Sequence, residues 1–245
     1  MLNTLSALIS AASLATPLRP GLDGSLAYHP RLLMAVAGFL VSIPVFFQAP
    51  LVRLYPWVSL GLTPLLWGLA GWLILSKRGP AWGDLLFGFS CCWLAGSVYW
   101  GWLRWEPLWH LPIEAFAVPL VTWLLWRGQL KIGGLFYLGS LLGTAITDLY
   151  FYLIDVIPHW RSVMRVEAAP DLVMGIFQDA VIQVQTFNGQ FWAMLLVLIL
   201  VGLTLAPFFA VNLQRRQSLA WWGFIGAVGS TLLVDGVFWV VVVVQ

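Results

Sequence analysis

In a chain of 245 residues, 61% are hydrophobic and only 9% are charged, with a mean hydropathy of +0.90. A water-soluble core cannot absorb that much apolar surface, and a net charge of +2 spread in ones and twos offers no basic patch for nucleic acid. The two cysteines, Cys91 and Cys92, are adjacent in an apolar stretch, which excludes a disulfide framework and a thiolate metal cage.

Residues 1–30 read as a cytoplasmic tail: Met1 to Thr16 carries no basic start of a secretory signal, and Pro17, Pro20 and Gly21 end any helix there. Residues 31–245 read as a single membrane bundle. A helix needs about twenty mostly apolar residues to cross the hydrocarbon core, and seven stretches approach that length. They are Leu32 to Ala49, Trp57 to Leu75, Leu85 to Leu103, Leu108 to Trp126, Ile132 to Ile157, Phe191 to Val211 and Ala220 to Val244. Lys77 to Pro80 stops the second span, and Pro44 predicts a kink in the first. The fold class is therefore all-α, an integral membrane bundle of about seven spans, since no series of alternating strands suggests a barrel.

Between the fifth and sixth spans lies the longest connection, 158–190. Leu172, Ile176, Phe177, Ala180 and Val181 recur there at helical spacing after Pro170 and Asp171, which predicts an interfacial helix. Such a helix would be either an ordinary surface element or a lid. Basic residues set the orientation: Arg19, Arg31, Lys77, Arg78, Arg127, Lys131, Arg215 and Arg216 fall on one side, and Arg53, Arg104, Arg161 and Arg165 on the other. The positive-inside rule then puts the N-terminus in the cytoplasm and the C-terminus outside. Gly139 with Gly143, and Gly226 with Ser230, predict close helix contact.

An ionisable side chain within a span is costly and asks for a partner or a purpose. His110 and Glu114 stand at i and i+4 in the fourth span, Asp148 and Asp155 at i and i+7 in the fifth with Tyr152 between them, and Asp235 midway along the seventh. Glu114, Asp148 and Asp155 are the candidate catalytic residues. His110, Trp105, Trp109, Tyr152, His159 and Arg161 are candidates for substrate binding at the same outer end. Three readings stay open: carboxylates that merely hold the bundle together, a proton-relay or acid-catalytic site built on a desolvated Glu114, and a metal site of His110, Glu114 and one aspartate. The rings around Arg104 to Glu114 read equally as an interfacial belt or as the lining of a pocket. No nucleotide, nucleophile-elbow or metalloprotease motif is present, so no cofactor is assigned.

Two runs, HLPIEAFAVPL (residues 110–120) and TDLYFYLIDVIPHWR (residues 147–161), resemble a family of cyanobacterial multi-pass membrane proteins of unknown function. That resemblance implies a photosynthetic host and a plasma or thylakoid membrane, and supplies no activity. Pro112-Ile113-Glu114 is similar, locally, to the Pro-x-Glu-Glu motif of membrane-embedded lycopene cyclases, though Ala115 replaces the second acid. It implies Glu114 as a proton donor toward an isoprenoid olefin. Three functions follow as expectations: binding or acting on an isoprenoid lipid or a pigment, carotenoid or quinone; assembling a photosynthetic membrane complex by contact with its subunits; or carrying a small solute with protons through Asp148 and Asp235.

Overall fold

The computed structural model describes residues 29–166, 169–210 and 219–244. Residues 1–28 of the expected tail, Glu167, Arg215 and Arg216 lie outside the described residues, and Pro30, the last residue of that tail, already opens the first helix. Among those described there are helices and no strands, and seven helices are long and apolar enough to cross a membrane. We label the helices α1 Pro30–Leu54, α2 Pro56–Leu75, α3 Pro80–Leu103, α4 Pro107–Trp126, α5 Lys131–Leu153, α6 Ile157–Arg165, α7 Pro170–Gln185, α8 Phe187–Ala210 and α9 Leu219–Val244. The chain is thus an all-α membrane bundle, with α6 and α7 as the two helices outside the spans.

Side-chain register shows which helices run together. Gly139 and Gly143 of α5 face Ala227 and Thr231 of α9, and Thr147 bonds Asp235. The contact advances four residues on each helix with a constant offset, so α5 and α9 run parallel. A Cβ on Gly139 would stand 3.2 Å from the Ala227 Cβ, and one on Gly143 would overlap Thr231. The absence of side chains therefore sets the interhelical distance, as small residues do in membranes. On its other side α9 meets α1, where Ser230 Oγ donates to Gly38 O at 2.7 Å. Both small-residue pairs expected from the sequence are used.

Two further contacts lock the bundle. Asp84, one turn into α3, accepts from Ile132 N at 2.9 Å and Gly133 N at 2.8 Å. It caps the start of α5 across the bundle, where Leu130 takes a left-handed φ of 45° that aims the next two amides at it. Such a cap stabilises a helix by about 0.5–2 kcal/mol. The second lock starts at Pro44, whose missing N–H opens a π segment over Pro44–Gln48. Gln48, fully buried, donates to Trp93 O at 2.5 Å and Ser97 Oγ at 2.9 Å; Ser59 Oγ lies 2.8 Å from Ser97 Oγ, and Trp93 Nε1 donates to Ser59 O. One amide thereby joins α1, α2 and α3.

The boundaries differ from the sequence expectation at two places that matter. Pro80 does not only end the preceding loop: it occupies the first turn of α3, where proline is well tolerated, so Asp84 lies inside the helix. The fifth span ends at Leu153 rather than Ile157, because Asp155 adopts a left-handed φ of 57°, a conformation aspartate tolerates better than most residues. The amphipathic connection also forms two helices rather than one. Along α7, Leu172, Met174 and Ile182 stay exposed.

Candidate functional site

The fourth helix is not a simple rod. Turns of 3-10 helix at Pro107–Trp109 and Ala115–Ala117 bracket the short α-helical run His110–Glu114. The second of these turns directs Val118 N to Ala115 O, which leaves the Glu114 carbonyl without its ordinary donor. Tyr137 OH of α5 donates to that carbonyl instead. The repair pins the His110–Glu114 turn against α5 and fixes where both side chains stand.

His110 then lies between two carboxylates from different helices. Its Nδ1 is 3.1 and 3.0 Å from Asp148 Oδ1 and Oδ2, and its Nε2 is 3.3 Å from Glu114 Oε1. The three side chains are largely buried, with exposures of 17% for His110, 20% for Glu114 and 12% for Asp148. The Tyr99 ring stacks on the imidazole at 4.3 Å between centroids, and Trp100 approaches it edge-on at 6.2 Å. Tyr99 and Trp100 open a π segment that ends α3, a local rewinding of the kind often found at functional sites.

Contacts to both ring nitrogens have a chemical consequence. A carboxylate only accepts, so an imidazolium satisfies both neighbours at once, whereas a neutral ring satisfies both only if one carboxyl carries the proton. The two arrangements differ in the position of one proton along Asp148–His110–Glu114. That row can store a proton and pass it along. Neither nitrogen keeps a lone pair free for a metal, and among the described residues no three His, Cys, Asp or Glu side chains are grouped to hold one.

Above the row, α6 is fastened to the loop between α3 and α4. Arg161 Nη2 and Nε donate to Glu106 Oε1 and Oε2 at 2.8 and 3.1 Å, and Trp160 Nε1 donates to Arg104 O at 2.8 Å. The Trp160 ring lies 5.9 Å from Trp100, which continues the contact down to His110. Arg161 beside Glu106 holds that carboxyl below the usual carboxylate range.

Of the candidate catalytic residues, the structure brings Glu114 and Asp148 together through His110 and leaves Asp155 apart. Asp155 is exposed in the turn after α5, off the face expected for it. Arg161 pairs with Glu106, and His159 on α6 has a buried Nδ1 without a partner among the described residues. Trp105 and Trp109 are exposed at 55% and 53%, and Tyr152, one turn beyond Asp148, is exposed as well. Sequence reasoning missed Tyr99, Trp100, Tyr137, Trp160 and the capping Asp84. Only Asp84 carried a readable signal, an acid four residues into a helix that starts on proline.

Residues 37–243 match a protein family described as "Protein of unknown function (DUF3120)". No curated protein and no solved structure matches the chain.

Proposed function

The chain belongs to the DUF3120 family of proteins of unknown function, and for this member we propose a proton-coupled carrier of a small solute with Asp148–His110–Glu114 as its proton site. The observation that carries this reading is the single imidazole whose two nitrogens each meet a carboxylate, one on its own helix and one on α5. A row of this kind, inside apolar helices, shifts a proton between its members at little structural cost, because both arrangements satisfy the same contacts, whereas releasing the proton leaves one of the two contacts unmet. Asp148 and His110 also join α4 to α5, so the proton's position bears on how these two helices sit together. That is the link a coupled carrier needs between protonation and helix packing.

Under this proposal residues 31–245 form one bundle behind the tail 1–30, with the N-terminus in the cytoplasm and the site in the outer half of a plasma or thylakoid membrane. A second reading rests on Trp105 and Trp109, exposed beside the site. There an isoprenoid lipid, carotenoid or quinone would lie against the rings, with Glu114 as proton donor. It is weaker because the Glu114 carboxylate is engaged by His110 rather than open to a substrate. An assembly role in a photosynthetic complex would need only the exposed aromatic surface and would tolerate changes at Asp148.

The test uses the full chain in liposomes that enclose a pH-sensitive dye. A pH gradient is imposed while the small-molecule fraction of host cells is supplied as the solute pool. Wild type should dissipate the gradient in at least one fraction, and Asp148→Asn should fall to the rate of protein-free vesicles. Equal rates for both proteins in every fraction would refute the carrier.

A further inference from the structure

Asp235 stands within the last span, where an ionised carboxylate is costly. Its Oδ2 accepts one hydrogen bond, from Thr147 Oγ1 at 2.7 Å. Among the described residues Asp235 forms no ion pair, so that one hydrogen bond is all that offsets the cost. Thr147 is the chain neighbour of Asp148, so one turn of α5 carries both the donor to Asp235 and the partner of His110.

Few other groups face this region. From α5 come Asp148, Tyr150 and Tyr152; α8 brings no titratable residue; α7 brings Asp171 and Asp179, both exposed; and the described part of α1 carries Arg31 in its first turn and Arg53 in its last. The ladder that places Asp235 also fixes it: with Gly139 against Ala227 and Gly143 against Thr231, the next step must set Thr147 against residue 235. Asparagine there would accept the same hydrogen bond without binding a proton.

We propose that Asp235 is a second proton-binding site, occupied at rest, which exchanges its proton with the His110 row. This deepens the carrier reading and rests on it. The exchange balances within the protein. His110 passes its proton to Glu114, and Asp148 takes up the proton that leaves Asp235. Two protons remain in the cluster, now on Glu114 and Asp148, and the single negative charge has moved to Asp235. No other reactant is needed. Filling two sites in sequence would give the carrier two protonation steps rather than one.

Infrared spectroscopy of the full chain in lipid nanodiscs tests the site directly through the C=O stretch of a protonated carboxyl. Wild type at neutral pH should show such a band, absent in Asp235→Asn. Thr147→Val, which keeps shape and removes the donor, should move the band to higher frequency. Asp148→Asn, which removes the proposed acceptor of the Asp235 proton, should keep the band at rest. A wild-type band unchanged in both Asp235→Asn and Thr147→Val would overturn the inference. Should Asp235→Asn fail to fold, the other two variants retain Asp235 and decide the matter. Proton flux without the band refutes the second site alone, and the band without flux refutes the carrier alone.

Discussion

Removing the His110 imidazole should reveal an unequal pair of couplings. A double-mutant cycle with His110→Ala, Asp148→Ala and both together isolates the contact between α4 and α5, and a second cycle with Glu114→Ala isolates the contact along α4. Interhelical hydrogen bonds within membranes couple by about 0.6 kcal/mol on average and about 1.7 at most. Ionised partners roughly double such values, and Nδ1 lies within 3.1 Å of both Asp148 oxygens. The first cycle should therefore give about 1–3 kcal/mol. Glu114 sits on the same helix at i+4 and 3.3 Å, where the two side chains are neighbours whether or not the helices pack, so its coupling should stay near the ~0.2–0.5 kcal/mol of such pairs. Loss of Tyr99 stacking enters every His110→Ala arm and cancels. Unfolding by denaturing detergent in bicelles, followed by tryptophan fluorescence, supplies the free energies. A coupling below about 0.5 kcal/mol for His110 with Asp148, or a larger one for Glu114, would refute the bridge between helices.

Close packing of α5 on α9 predicts that Gly143→Leu, whose Cβ would overlap Thr231, destabilises by roughly 1–3 kcal/mol. Gly61→Leu, with nothing within 4 Å of its Cβ position, should be near neutral in the same assay. The Glu106–Arg161 pair makes the anchoring of α6 dependent on pH. Arg161 lowers the Glu106 pKa in the folded state, so the pair's contribution is full above the ordinary glutamate value of about 4.3 and is lost as pH falls through the lowered one. Hydrogen exchange of the α6 amides should accelerate across that acid window beyond its intrinsic pH dependence, and Glu106→Gln should flatten the excess.

Hydrophobic length made the seven spans legible, and helical spacing made His110 with Glu114 legible as one face. Asp148 was visible as a costly acid, but its meeting with His110 depends on how α4 folds back against α5. That in turn depends on Tyr137 reaching the Glu114 carbonyl, a contact with no signature in either segment. Periodicity misled at Asp155, because a helical count continues through a residue that leaves the helix. Pro158, three residues on, was the available warning. Tyr99 and Trp100 carry no signal in an aromatic-rich span, and the π segment that ends α3 turns Tyr99 onto the imidazole.

The place of α9 bears on how the molecule is made. As the last of the seven spans to be synthesised, it supplies the surface that both Gly38 of α1 and Gly143 of α5 pack against. Before it arrives, those two glycine faces lack the partner they have in the finished fold. The contacts of Gln48 and Asp84 join the earlier helices without it, and α9 then closes the two glycine faces together. A chain stalled before α9 would carry its His110 row complete in sequence while lacking the helix that Thr147 holds beside it.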